Sequence, residues 1–282
     1  MSTQLTTDQI PASERSPEPL DTTATDLLFV DLHTHSNHSD GIPSTEQIED
    51  HCLRSKLVVA LTDHNEIRGS IRLSARERMS CIPAIEVGTR EGLEFLVYFP
   101  CPDQLEDYYR TAVEPHLISR FMVRSRIPSI ECLEIARDQG AFISLAHPFA
   151  FGRKSIDFQR SSRKTEHSFV DDVLERVDAV ELFNGGVPPG VNRKAAEFLA
   201  KIDKPVTVGS DSHRLKTYGS CGMALHAEHS TDCAELFNSL SKAEVHSTEQ
   251  NHGSVSLTLP VIMFKHTIFF LRAGQHPLWR QK

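Results

Sequence analysis

The chain has 282 residues, of which 39% are hydrophobic and 24% are charged. This balance provides material for a core and excludes a collagen, a coiled coil and a wholly disordered polymer. Its 30 basic and 38 acidic residues give a net charge of −8, which disfavours binding to polyanions through bulk charge but leaves room for a local basic pocket.

The first 26 residues are rich in Ser, Thr and Pro and contain no basic segment followed by an apolar run. We therefore expect a disordered tail here, rather than a signal peptide or a membrane anchor. The six cysteines form no C-x-x-C pair in a chain of this size. That spacing favours a reducing compartment and predicts a cytoplasmic protein.

After the tail, short apolar runs rich in β-branched residues alternate with amphipathic stretches, as in strand-helix units around a mainly parallel sheet. Six runs predict parallel strands, over 27–32, 57–61, 81–87, 141–146, 179–183 and 205–208. Residues 93–99 follow the third run closely enough to form a hairpin with it. Amphipathic spacing predicts helices over 45–56 (after a capping box at 44–47), 66–79, 130–139, 169–177 and 191–202.

This alternation fits an irregular (β/α) barrel, to which we assign residues 27–282. The segment 101–128 has weak helical character and is expected to form a small cap over a site. The longest apolar stretch, 261–271, is about half the length that a spanning helix needs, so we expect a helix here that covers the barrel rather than a membrane contact.

Histidine is the outlier of the composition, with 15 copies, and five of them fall just after a predicted strand. In a barrel these strand ends gather on one face. The candidate metal ligands there are His33, His35, Asp40, His64, Glu86, His147, Asp211 and His213. Imidazole and carboxylate without thiolate suit Zn, Fe and Mn. Eight ligands exceed what one ion accepts, so they imply two or three divalent ions, with Glu86 or Asp211 as the bridging carboxylate.

Five motifs in this order, DLHTHSNHSDG, LTDHNEIRG, IPAIEVGT, LAHPF and GSDSH, resemble the metal-binding motifs of the PHP (polymerase and histidinol phosphatase) superfamily. They are most similar to those of its stand-alone phosphoesterases, and they span residues 27–213. The resemblance implies a distorted (β/α)7 barrel. It also implies three ligand sets: His33, His35, Glu86 and Asp211; Glu86 and His147; and Asp40, His64 and His213.

One position departs from the pattern. Relatives with three metals often place a His about eight residues after the Glu of the third motif, and Glu94 stands in that region here. The resemblance therefore implies either that Glu94 ligates in place of that His or that the second ion binds weakly. Relatives also often carry a longer insertion near 101–128, so a more open pocket is expected.

Four residues are candidates for binding a substrate phosphate or oxygen: Arg153, Lys154, Arg126 and Asn184. For the cations the alternative is a solvated surface, and for Asn184 it is ordinary turn chemistry. Asp31 and Asp63 either orient imidazoles or simply cap strand ends.

Taken with the resemblance, these residues predict a metal-dependent phosphoric ester hydrolase. Its substrate would be a nucleotide, a short oligonucleotide or another small phosphate ester, attacked by a hydroxide that bridges two ions. Asp211, His213 and a water on the third ion are the candidates for protonating the leaving oxygen. The alternatives are an amidohydrolase-like enzyme that cleaves C–N bonds and a non-catalytic regulatory module that binds metal. No membrane partner is expected, and the oligomeric state stays open.

Overall fold

The computed structural model describes residues 27–76, 78–118, 121–162, 166, 168–226, 232–240 and 244–246. The predicted tail over 1–26 and the predicted helix over 261–271 lie outside these residues. Within the described residues, no helix combines the length and the apolar character that crossing a membrane requires.

The described strands follow the predicted alternation with helices. They are β1 Leu27–Thr34, β2 Val58–Leu61, β3 Cys81–Gly88, β4 Glu94–Tyr98, β5 Leu117–Ile118, β6 Phe121–Ser125, β7 Phe142–Leu145, β8 Ala179–Asn184, β9 Val206–Gly209, β10 Gly222–His226 and β11 Glu244–His246. Nine of them form one sheet in the order β11-β10-β1-β2-β3-β4-β7-β8-β9, and β5 pairs with β6 alone.

The sheet curls so that seven of its strands nearly close into a barrel, in the order β1-β2-β3-β4-β7-β8-β9. Strands β1, β2 and β3 are parallel, as are β7, β8 and β9, whereas β4 is antiparallel to both β3 and β7. The chain after β9 returns to β1, where the His35 N–H donates to the Ser212 carbonyl at 2.9 Å. A Cβ on Gly209 would lie 2.3 Å from the Cβ of His33, so glycine permits this approach. The distorted barrel is therefore confirmed, including its hairpin strand.

Eight helices are described, and several match the predicted ones closely. They are α1 Thr45–Ser55, α2 Arg68–Ser74, α3 Pro102–Tyr108, α4 Ser129–Asp138, α5 Ile156–Ser161, α6 Phe169–Arg176, α7 Pro189–Leu199 and α8 Cys233–Ser239. The capping box of α1 is present, with the Ser44 hydroxyl accepting from the Gln47 N–H and the Gln47 side chain accepting from the Ser44 N–H.

Helix α2 is shorter than the predicted 66–79. After Ser74 the helical ladder gives way to tighter turns, in which the Arg76 N–H donates to Leu73 and the Met79 N–H donates to Arg76. Met79 still packs in the same apolar cluster as Leu73. The i, i+4 spacing therefore predicted the burial of Ile67 and Met79 correctly, whereas Ala75 is exposed, and Met79 belongs to the approach to β3.

Residues 101–128 form α3, a π-helical turn over Tyr109–Val113, a short 3-10 turn and the β5-β6 hairpin. Leu105 and Tyr108 are buried in the largest apolar cluster, so α3 is part of the packed fold. Strand β6 passes over the end of β3, where a Cβ on Gly88 would lie 1.9 Å from the Val123 carbonyl oxygen. A covering role for this segment stays a prediction.

Alternation along the strands determines which side chains point toward the site. Along β4, Phe95 and Val97 pack in the largest apolar cluster, whereas Leu96 and Tyr98 pack in a second cluster with residues of β1 and β2. Because successive side chains point to opposite faces, Glu94 lies on the face of Leu96. This alternation directs a carboxylate of an otherwise apolar strand into the barrel.

Candidate metal centre

Five histidine rings converge where the strands of the barrel end. The ring centroid of His35 lies 5.1 Å from that of His33, 4.7 Å from that of His64 and 4.4 Å from that of His213. The His147 ring is 5.8 Å from the His33 ring. The five rings come from four different strand ends, so the cluster exists only in the folded barrel. The expected convergence is thus what the structure shows.

Glu86 lies at the middle of this cluster. Its Oε2 atom is 3.4 Å from the Nε2 atoms of both His33 and His35 and 2.9 Å from His64 Nδ1. Its Oε1 atom is 3.2 Å from His147 Nε2. Burial alone would raise the pKa of Glu86, but the neighbouring His64 and His33 outweigh it and hold the pKa well below its usual range. The carboxylate faces several imidazoles at once, as a bridging ligand must.

Asp211 and His213 come from the turn after β9. Asp211 Oδ1 is 3.1 Å from His35 Nε2 and 3.6 Å from His33 Nε2. The backbone of Asp211 has φ 51°, in the left-handed region that a non-glycine residue occupies at a cost. His213 Nδ1 donates to the Asp211 carbonyl at 2.8 Å, which directs its Nε2 atom toward Asp40 Oδ1 at 3.1 Å. The strained turn therefore aims two side chains into one centre.

The donor atoms of this centre fit divalent ions. Buried polar atoms are normally hydrogen-bonded. Within the described part of the chain, buried side-chain atoms without a hydrogen-bond partner include His33 Nε2, His35 Nδ1 and Nε2, His64 Nδ1, Glu86 Oε2 and His147 Nδ1. Lone pairs that face one another in this way are suited to a shared cation, and an all-nitrogen and oxygen set suits Zn, Fe or Mn.

The same atoms group into sets of ligand size. Among the described residues, four sets have ligand atoms that all lie within 4.8 Å of one another. They are His35, Asp40, His64 and His213; His33, His35 and Asp211; His33, Glu86 and His147; and His64, Glu86 and Glu94. All eight residues predicted from the strand ends fall in these sets, and so does Glu94. Their role as ligands stays a prediction.

Glu181 was not predicted from the sequence, although its carboxylate hydrogen-bonds to residues of the centre. Its carboxylate accepts from His33 Nδ1 at 2.9 Å, from the His147 N–H at 2.7 Å and from Asn184 Nδ2 at 3.0 Å. The bond to Nδ1 leaves the His33 Nε2 lone pair for a metal. An available signal was a charged residue in the middle of the apolar run 179–183.

The four substrate-binding candidates lie in different places. Lys154 reaches the centre, where its Nζ atom is 2.5 Å from Glu94 Oε2. Asn184 is buried behind His33, with its side-chain oxygen accepting from the Gly186 N–H at 2.7 Å. The Arg153 guanidinium donates to the carbonyls of residues 91 and 90 at 3.0 and 3.1 Å, so it holds the β3-β4 turn. Arg126 is exposed on the segment after β6.

Asp31 and Asp63 hold backbone segments together, which supports the capping alternative. Asp31 accepts from the N–H groups of Ser210 and Gly219 at 2.8 and 2.9 Å. Burial raises the pKa of Asp31 to about 6, against the effect of these bonds. Asp63 accepts from the Ser36 N–H at 2.8 Å. Both carboxylates therefore fix the loops that carry the histidines.

Comparisons with known proteins agree with this architecture. Residues 189–245 match the family model of the PHP-associated domain. An uncharacterised protein of Methanocaldococcus jannaschii is 28% identical over 197 residues, which cover 68% of each chain.

Three solved structures share the fold. PsfC from Pseudomonas syringae has a TM-score of 0.60 at 14% identity, covering 86% of this chain and 99% of that one. The lesion-specific endonuclease EndoQ from Pyrococcus furiosus has a TM-score of 0.58 at 17% identity, covering 78% of this chain and 57% of that one. A two-domain protein from Bacteroides vulgatus, described as containing a predicted PHP-like metal-dependent phosphoesterase, has a TM-score of 0.53 at 18% identity, covering 82% and 68%.

At its strand ends, the nearly closed barrel carries a buried centre of imidazole and carboxylate groups. The family-model match over residues 189–245 and the shared fold agree with the resemblance of the five sequence motifs to those of the PHP superfamily.

Proposed function

We propose that this protein hydrolyses a phosphate ester with the help of divalent metal ions. The observation that carries the proposal is the group of buried, unpartnered imidazole and carboxylate atoms around Glu86. The fold of this protein is similar to that of a lesion-specific endonuclease and to that of a protein containing a predicted PHP-like phosphoesterase. This similarity supports a phosphate ester as the substrate over other esters.

Two or three ions, Mn, Zn or Fe, would be held by the predicted ligands: His33, His35, Asp40, His64, Glu86, Glu94, His147, Asp211 and His213. When bound, such ions lower the pKa of a coordinated water toward neutrality and neutralise charge on phosphate oxygens. The protein contributes the fixed ligand positions, which Glu181 maintains by holding the His33 ring.

The chain's own groups also suit the departure of an alcohol. Asp211 and His213 are the edge of the centre nearest to solvent, with side chains 17% and 14% exposed. A leaving group exits toward solvent, so these two residues mark the side of the centre from which its proton is proposed to come, from one of them or from a water that they hold. Lys154 has a side chain that is 37% exposed and offers an ammonium group to a phosphate oxygen.

Exposed apolar side chains border the same end of the barrel and favour a substrate with a flat apolar part, such as a nucleotide. Ile42 is 45% exposed, and its N–H donates to the His213 carbonyl at 2.9 Å. Phe151 is 77% exposed and lies in the short loop between His147 and Lys154, both of which reach the centre. A nucleobase would stack on such a ring.

The test is hydrolysis of matched substrates, measured as inorganic phosphate released from monoesters and as shorter products from oligonucleotides, with added Mn, Zn or Fe and with chelator. Nucleoside monophosphates are compared with ribose 5-phosphate, which lacks the base, and with short oligonucleotides. We expect chelator-sensitive release that His33→Ala abolishes and that His116→Ala, outside the centre, retains. Phe151→Ala should reduce kcat/KM for the nucleotide about tenfold while sparing ribose 5-phosphate.

A metal-loaded protein that neither releases phosphate from these monoesters nor cleaves the oligonucleotides would refute the proposal. Amide substrates, with release of the amine measured, separate an amidohydrolase, which would cleave them instead. Turnover of neither class by a protein with full metal content would indicate the regulatory module.

A further inference from the structure

The ion pair between Glu94 and Lys154 bears on how tightly one position of the proposed centre binds a metal ion. We infer that the Lys154 ammonium group competes with a metal ion for the Glu94 carboxylate, which makes the ion position that includes Glu94 the weakest of the centre. This inference rests on the proposed metal centre and concerns its loading with ions.

The contact geometry places the ammonium group on the ligand atom itself. Lys154 Nζ lies 2.5 Å from Glu94 Oε2, and the same oxygen lies 3.2 Å from His147 Nε2. His147 Nε2 is in turn 3.2 Å from Glu86 Oε1. An ion that takes Glu94 Oε2 as a ligand would therefore meet a second cation on that oxygen.

Burial makes this competition strong. The Glu94 side chain is 2% exposed, so its charge requires a partner inside the protein. Besides the neighbouring His147 imidazole, Lys154 and a divalent ion are partners of suitable charge, and like charges on one oxygen repel each other. Lys154 differs from an ion because its long, partly exposed stem can swing toward solvent without unfolding the chain.

A substrate phosphate changes the balance. It offers the ammonium group a second anion at the edge of the centre, which frees Glu94 for the ion. Phosphate and metal therefore strengthen each other's binding, since such coupling is reciprocal. The resting protein would carry fewer ions than the protein with substrate.

The experiment measures equilibrium binding of Mn²⁺ to metal-depleted protein, in the absence of substrate. In Lys154→Met, and in Lys154→Ala measured beside it, we expect the weakest Mn²⁺ to bind about tenfold tighter or more, the size of one lost charge-assisted bond. Lys194→Met removes an exposed lysine on α7 and should leave the affinity unchanged. Inorganic phosphate should tighten the weakest Mn²⁺ more in the wild type than in Lys154→Met.

A double-mutant cycle separates competition from a general change in charge. Glu94→Gln keeps the shape of the side chain and removes its charge, so Lys154→Met should cause no further tightening in that background. Equal tightening with and without Glu94 would overturn the inference, as would unchanged Mn²⁺ affinity in both Lys154 variants. Absence of Mn²⁺ binding in every protein would instead refute the proposed metal centre.

Discussion

Glu181 offers the sharpest test of how the centre is held together. The carboxylate and the His33 ring are both fully buried, and Oε1 accepts from His33 Nδ1 at 2.9 Å. Replacing Glu181 by Gln removes the negative charge that makes this imidazole a good metal ligand, while the side chain keeps its size. The ring then loses part of its basicity and the charge-assisted part of the hydrogen bond that orients it.

The expected loss of metal affinity follows from the charge-assisted hydrogen bond between Glu181 and His33 that the substitution removes. A hydrogen bond to a charged group contributes about 1.5 to 3 kcal/mol, and about 1.4 kcal/mol corresponds to tenfold in affinity. We therefore expect Glu181→Gln to weaken metal binding about 10- to 100-fold, in the range seen when such supporting groups are removed. Turnover at limiting metal should fall in parallel and recover partly at high metal.

The assay is equilibrium metal binding, with thermal unfolding in chelator as the measure of structural damage. Glu197→Gln, on the exposed side of α7, is the matched control and should behave as the wild type. Wild-type metal affinity in Glu181→Gln would refute the orienting role. A loss of metal binding accompanied by an equal loss of stability in chelator would mean that Glu181 serves folding instead.

Three further outcomes test the structure itself. Chelation should lower the free energy of unfolding by about 2.7 kcal/mol, the linkage value for one ion at a hundred times its Kd; equal urea midpoints with and without chelator would contradict this. Gly209→Ala should destabilise the chelated protein by about 1 to 3 kcal/mol in urea unfolding, because its Cβ would overlap that of His33; a wild-type midpoint would show that β9 can move away from β1. Burial raises the pKa of Cys52 and Cys132 to about 12, so these thiols stay protonated and unreactive at pH 8. Iodoacetamide should therefore modify at most the two half-exposed cysteines, Cys101 and Cys233, by mass spectrometry of the native protein; alkylation of the buried ones would contradict the packing.

The parts of the site that could be predicted are those encoded locally. Each of the five histidines in the centre follows an apolar run. The prediction that these runs are strands of a barrel was therefore enough to place His33, His64 and His147 near one another. The capping box of α1 and the β3-β4 hairpin are likewise properties of neighbouring residues. Because the strands of such a barrel end on the same face, residues that follow different strands come to lie at one location.

The parts that could not be predicted depend on which strands are neighbours. Glu181 reaches His33 across a gap of 148 positions, and no periodicity in either segment encodes that contact. Arg153 and Lys154 are adjacent in sequence, yet one holds the β3-β4 turn and the other enters the centre. Strands β10 and β11 were missed because short segments beside loops carry too little alternation.

Because β4 runs in the opposite direction to its neighbours, the position of the predicted ligand Glu94 depends on the length of the loop before this strand. The other barrel strands meet the centre with their carboxyl ends, whereas β4 meets it with its first residue, Glu94, paired with Gly88 across the turn at 89–93. Adding or removing one residue in that turn would shift the register and exchange the two faces of the strand. The carboxylate would then point toward the helices and an apolar side chain into the barrel. Changes in a five-residue turn, without any change in the helices or parallel strands, would thus alter the set of ligands in the proposed metal centre.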